Sequence, residues 1–135
     1  MSYMDATKEK TRILVVDDDA SMRQLFKDIL ELGGFAVYCA ENGQIGLSMA
    51  EKEMPNLILL DVLMPTMGGI ETLKKLRETP WGTNIPVIIL TNVDIEDKMQ
   101  KEIMEYHVSY YLSKTRVDPP SVIYKINSIL GERGK

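Results

Sequence analysis

The sequence predicts an α/β fold with helices on both faces of a parallel sheet. Beyond a polar arm, five short apolar runs bounded by turn residues each precede a stretch whose apolar residues recur at helical spacing. The first, third and fourth runs are continuously apolar, as expected of strands covered on both faces. At 135 residues the chain has room for one hydrophobic core. The expected organisation is a flexible arm over residues 1–11, a folded domain over 12–131 and a polar tail over 132–135.

The runs are Ile13 to Val16, Phe35 to Ala40, Leu57 to Leu60, Val87 to Leu90 and Tyr110 to Leu112. The first helix carries Met22, Leu25, Phe26, Ile29 and Leu30 on one face, with Asp19 placed to cap its start and Gly33-Gly34 to end it. A second helix runs from Asn42 or Gly43 to about Glu53 and stops before Pro55, and a third from about Gly69 to Glu78 turns Ile70, Leu73 and Leu76 inward. The fourth carries Ile95, Met99 and Ile103 behind a cap at Asp94. The fifth carries Val122, Ile123, Ile126, Ile129 and Leu130, with Asp118 as N-cap and Pro119 as first helical residue.

A composition of 44% hydrophobic and 27% charged residues places the chain among soluble globular proteins. Sixteen basic against twenty acidic residues give a net charge of -4, which argues against direct binding to a nucleic-acid backbone. No apolar run approaches a membrane span, and the first ten residues lack the apolar stretch of a signal peptide. Cys39 is the single cysteine and is expected to be a buried thiol in a reducing compartment. The expected location is the cytoplasm. Trp81, in the Pro80 to Pro86 loop, reads as packing cover, and the nine methionines as fillers of core gaps.

Ligands of such sheets bind beyond the carboxyl ends of the strands. There the first strand ends in Asp17-Asp18, the third in Asp61, the fourth in Thr91 and the fifth in Lys114. Each residue alone reads as a cap or turn former. Together, an acid pair, a single acid, a hydroxyl and an ammonium make a set suited to phosphoryl transfer. Crowded carboxylates repel one another unless a cation intervenes, and hard oxygen donors favour magnesium. Asp61 stands alone at the end of a buried strand and is the candidate nucleophile. Asp17 and Asp18 are arranged to hold the ion, one directly and one through water. Lys114 and Thr91 would take the phosphoryl oxygens.

These residues resemble the response regulator receiver family, in its stand-alone, chemotaxis type. Ile13-Leu-Val-Val-Asp-Asp-Asp19, Leu59-Leu-Asp-Val-Leu-Met-Pro65, Gly69, Thr91 and Lys114 all match, and the likeness spans Arg12 to Leu130. The resemblance implies a flavodoxin-like, doubly wound five-stranded sheet of order 2-1-3-4-5. It implies that Asp61 is the phosphoacceptor, catalysis being shared with Lys114 and Thr91, and that Asp17, Asp18, Asp61 and the backbone carbonyl of Leu63 hold Mg2+. Thr91 and Tyr111 match the switch positions, where hydroxyl and ring move on phosphorylation and shift a two-state equilibrium. The implied donor is a sensor histidine kinase or phosphotransfer protein. The implied output is a downstream target bound by the face of the fourth helix, fifth strand and fifth helix. Phosphorylation-dependent homodimerisation is left open.

The chain departs from the family pattern in four places. Thr115 stands where many receivers have a proline after the lysine. His107 occupies a position where glycine is common, so it must accept a left-handed backbone or alter the turn. Leu63 and Val93 are apolar where relatives often carry polar side chains, from which slow self-dephosphorylation is expected. Asn92 replaces a small residue after the threonine and is expected to narrow access.

Two rival readings remain. One is a receiver-like interaction module independent of phosphorylation, against which the complete acid, hydroxyl and lysine set argues. The other is a magnesium-dependent phosphohydrolase, which would need a second acid beside the nucleophile, where Val62 and Leu63 supply none. No dinucleotide loop, P-loop, Cys/His metal cluster or serine elbow is present. The only expected chemistry is self-directed phosphoryl transfer and slow autodephosphorylation. With only Gly131 to Lys135 after the last helix, output is expected to pass through another protein.

Overall fold

The structure is a computed structural model that describes residues 10–64, 67–91 and 97–133. The expectations placed on residues 1–9, Pro65, Asn92, Val93, the Asp94 cap, Ile95 and residues 134–135 lie outside the described residues. Among the described residues ten elements alternate: β1 (Arg12–Val16), α1 (Ala20–Leu32), β2 (Ala36–Ala40), α2 (Gly43–Glu53), β3 (Leu57–Asp61), α3 (Gly69–Glu78), β4 (Val87–Thr91), α4 (Asp97–Met104), β5 (Tyr110–Ser113) and α5 (Pro119–Arg133).

All the strand pairs are parallel, in the order β2-β1-β3-β4-β5 expected from the family resemblance. The three continuously apolar runs are the three central strands. Because strand side chains alternate faces, the core divides in two. Ile13, Val15, Leu57, Leu59, Ile88 and Leu90 pack with Phe26 and Leu30 of α1 and Val122 and Ile126 of α5. Leu14, Val16, Ile58, Leu60, Val87 and Ile89 pack with Ala50 of α2, Leu73 and Leu76 of α3 and Ile103 of α4. Parallel pairing also aligns the strand ends, with Val16 opposite Leu60, Asp61 opposite Leu90 and Thr91 opposite Ser113. Among the described residues no helix is long and apolar enough to cross a membrane.

The helix boundaries follow from local chemistry. Asp19 caps α1 by accepting the N–H groups of Ser21 and Met22, and Asn42 caps α2 by accepting that of Ile45. At the end of α1, Gly34 takes a left-handed φ of 92°. There the Gly34 N–H donates to Glu31 O and the Phe35 N–H to Leu30 O, the paired bonds of a Schellman ending. This corrects the expected start of the second strand: Phe35 belongs to the helix ending, and β2 begins at Ala36. Asp61, Thr91 and Ser113 are the last residues of their strands, one beyond the apolar runs. Asp118 does precede α5, but its carboxylate accepts the Ser121 hydroxyl, while its backbone carbonyl accepts the Val122 N–H. Ile70 is only partly buried, whereas Thr72, not expected inward, is buried.

Cys39 also differs from expectation, because β2 is an edge strand and leaves the thiol half-buried. Burial still pushes its pKa up against the neighbouring charges of Lys27 and Arg23. Trp81 is half-buried against the core, consistent with packing cover. Arg77 at the end of α3 donates to the carbonyls of Gly82, Ile85, Tyr106 and His107, at 2.9, 2.8, 2.7 and 3.3 Å. It ties the α3–β4 loop to the turn before β5.

Of the two alternatives for His107 the structure takes the first, a left-handed backbone with φ of 57°. That conformation strains a residue carrying a Cβ by about 1–2 kcal/mol, partly offset in the comparison by the entropy glycine loses on folding. His107→Gly is therefore expected to raise the unfolding free energy by about 0.5 kcal/mol or more in urea denaturation. A loss of stability would show that the imidazole itself supports the turn.

Candidate functional site

The site lies at the carboxyl ends of β1, β3, β4 and β5. Asp17 and Asp61 are 0% and 3% exposed, while Asp18 beside them is exposed. A carboxylate oxygen from each of the three lies within 4.8 Å of the others. Lys114 projects into the same cluster, its Nζ 2.8 Å from Asp17 Oδ2 and 3.4 Å from Asp61 Oδ2. The lysine is positioned by the strand pairing, since its backbone N–H donates to Thr91 O at 2.7 Å.

Backbone groups aim the carboxylates. The Asp19 N–H donates to Asp17 Oδ1 at 2.9 Å, and the Leu63 N–H to Asp61 Oδ1 at 3.1 Å. Gly69 packs so tightly beneath the nucleophile's strand end that a Cβ there would lie 2.4 Å from Asp61 O and 2.5 Å from Val62 Cα. Only glycine opens α3 at that distance.

Three carboxylates face one ammonium, and burial and charge together shift the proton affinities of Asp61 and Lys114. Burial first, then the charge of Asp17, raises Asp61 to about 7; Lys114 and the Leu63 N–H pull the other way without cancelling them. Burial alone would lower Lys114, but the hydrogen bond and charge of Asp17 with the charge of Asp61 outweigh it and lift its pKa. Asp17 Oδ2 is buried and, apart from its ion pair with Lys114, accepts no hydrogen bond among the described residues. A buried, underbonded oxygen within a compact set of hard donors suits a divalent cation. The residues fit a metal.

Asp17, Asp18, Asp61 and Lys114 are thus brought together as the sequence predicts, and Thr91 ends the adjoining strand. Leu63 lies two residues after Asp61 and is 48% exposed. Tyr111, two residues before Ser113, packs against the core with its hydroxyl buried and without a hydrogen-bond partner among the described residues. Burial raises its pKa. Two features escaped sequence reasoning. Lys114 sits nearer the metal-type acid Asp17 than Asp61, a matter of side-chain reach that no motif encodes. Arg23 of α1 donates from Nη1 to Asp17 O at 2.8 Å; its place six residues after Asp17, one turn into the helix, was the available signal.

A family model described as the response regulator receiver domain matches residues 13–127. The chain is 40% identical over 111 residues to an uncharacterised 14.6 kDa protein of Leptolyngbya boryana, covering 82% of this chain and 83% of that one. It is 32% identical to the probable transcriptional regulator ycf27 of Porphyridium aerugineum, over 90% of this chain but 49% of the relative. Against response regulator MprA of Mycobacterium avium, 39% identity covers 62% of this chain and 36% of the relative, so the chain spans half or less of these two longer relatives. Among solved structures it is similar to a CheY-like receiver domain protein of Methanospirillum hungatei, with a TM-score of 0.85 and 30% identity over 93% of this chain and 98% of that one. Chemotaxis protein CheY4 of Vibrio cholerae gives 0.81 and 27%, over 88% and 98%.

The raised Asp61 pKa has a signed consequence for stability. The folded protein holds a proton on Asp61 that the unfolded chain releases above its ordinary 3.8. That stabilisation is complete below 3.8 and is lost as pH rises through about 7. Asn at position 61 cannot ionise and escapes the loss. In chelator, the melting temperature of Asp61→Asn relative to the parent should therefore climb between about pH 5 and about pH 8. A flat or falling difference would contradict the burial and charge crowding assigned to Asp61.

Proposed function

The chain belongs to the response regulator receiver family of two-component signalling, and from that premise we propose that Asp61 is its phosphoacceptor, working with Mg2+ in the acidic cluster. The observation that carries this reading is the gathering of Asp17, Asp18 and Asp61 within 4.8 Å around a lysine. Asp17, Asp18, Asp61 and the Leu63 carbonyl would hold magnesium, which when bound offsets negative charge on the transferring oxygens.

The reaction is a displacement at phosphorus. The Asp61 carboxylate, deprotonated, forms a new P–O bond as the bond to the donor nitrogen breaks, and the donor imidazole, protonated on its other ring nitrogen, leaves as the neutral ring with the electron pair. Asp61 is left as an acyl phosphate. The Lys114 ammonium and the Thr91 hydroxyl bind phosphoryl oxygens, which requires Lys114 to give up part of its hold on Asp17. The donor is a histidine kinase or phosphotransfer protein, and the cytoplasm is the compartment. The chain turns over no external substrate.

Output passes through Thr91 and Tyr111. Among the described residues the buried Tyr111 hydroxyl has no hydrogen-bond partner, so repositioning the ring breaks no hydrogen bond to them. Beside it, α4, β5 and α5 expose Met104, Tyr110 and Tyr124, with the Lys125 ammonium 4.3 Å from the Tyr110 ring centre. This face is the docking surface for a target protein or, after phosphorylation, a second copy.

Incubation with magnesium and a small-molecule phosphodonor should add the mass of a single phosphoryl group, with no gain for Asp61→Asn or in chelator. A folded, magnesium-binding protein that gains nothing would be an interaction module independent of phosphorylation.

The apolar residues two positions beyond Asp61 and Thr91 leave no side chain there to guide water to the acyl phosphate. Leu63→Asn with Val93→Glu is therefore expected to shorten the phosphoryl lifetime, followed by loss of the added mass after donor removal. A lifetime equal to or longer than the parent's would refute slow self-dephosphorylation by this cause.

A further inference from the structure

We propose that Arg23 is a positioning residue of the acidic site, holding the peptide unit between Asp17 and Asp18 so that the buried and the exposed carboxylate both converge on Asp61. The inference rests on the reading of these three acids as magnesium ligands.

The ladder pairings of β1 end at Val16, so the Asp17 carbonyl stands just beyond the paired strand. Left without a donor in this partly buried place, it would carry the penalty of an unpaired backbone group. Arg23 supplies the donor. Its own N–H bonds back to Asp19 O at 3.0 Å, and from there its side chain folds over the loop so that Nη1 reaches Asp17 O at 2.8 Å.

Each polar group of Asp17 is then held by a different part of the domain. Its N–H donates to Ala40 O of β2 at 3.1 Å, and its carbonyl accepts from Arg23 of α1. Its Oδ1 accepts from the Asp19 N–H in the turn, and its Oδ2 pairs with Lys114 after β5. The Asp17 carbonyl and the Asp18 N–H share one planar unit. Fixing that plane fixes the direction in which Asp18 leaves the chain. Arg23 has no carboxylate within 4.0 Å among the described residues, so no ion pair holds its guanidinium in place. Its role is geometric, through a charge-assisted bond from a rigid fork.

Charge and geometry predict opposite outcomes when Arg23 is replaced. Removing a cation near three carboxylates should tighten magnesium binding. Loosening the peptide that orients two of them should weaken it. The magnesium dissociation constant, followed by NMR titration of backbone amides, separates these. Arg23→Met, which keeps the packing stem and removes the donor, should raise it by about tenfold, and Arg23→Lys should recover part of the loss. Thermal unfolding in chelator verifies that each variant is folded. If the methionine variant does not fold, Arg23→Gln replaces it under the same criterion. A constant equal to or below that of a magnesium-binding parent would overturn the role of Arg23 alone. A parent that binds no magnesium would overturn the metal-site reading itself, and this inference with it.

Discussion

The mutual repulsion of three carboxylates at one end of a dry sheet is the constraint around which the domain is organised. Asp17 and Asp61 are buried at the ends of two adjacent central strands, where neither solvent nor distance screens one from the other. The molecule answers with directed donors rather than by separating the acids: the Asp19 and Leu63 N–H groups each take one oxygen, and the Lys114 ammonium faces both residues. Compensation stays incomplete: burial first and then the charge of Asp17 raise the proton affinity of Asp61 against the pull of Lys114 and the Leu63 N–H. A compact cluster of hard oxygen donors left incompletely neutralised suits a cation.

Such a cluster needs a scaffold that does not relax away from it. The parallel register brings Asp61 and Thr91 to neighbouring strand ends and runs on from Ser113 to Lys114, while α1 and α5 on one face and α2, α3 and α4 on the other fill the space behind them. Gly69 marks how closely this scaffold is drawn in, for it admits no side chain between α3 and the end of β3. The apolar alternation that builds the core and the polar residues that terminate each strand are two parts of a single pattern.

The same distinction explains what the sequence disclosed. β1, β3 and β4 were legible because strands covered on both faces must be apolar throughout, and the acid, hydroxyl and lysine positions followed from where those runs stop. Asp19 was legible because a cap is a local bargain between one side chain and nearby N–H groups, whereas Asn42 was read only as one of two possible helix starts. Phe35 was misplaced because its apolar side chain suits a strand, while its N–H is claimed by Leu30 O five residues back. Cys39 was expected deeper because its neighbours are apolar, although the strand order implied by the resemblance already makes β2 an edge. The preference of Lys114 for Asp17 and the bond from Arg23 depend on long side chains crossing between elements, which periodicity does not describe.

The Arg77 fork gives the sheet two mechanically different ends. At the carboxyl end, β4 and β5 finish beside groups whose charge changes with protons, cations and phosphoryl transfer. At the other end, one guanidinium grips the backbone just ahead of both strands, through carbonyls that do not titrate and a cation that stays charged throughout the physiological range. The lower loops are thus tied together by groups that do not share the titration of the far edge, so the same four bonds are available in every charge state of the site.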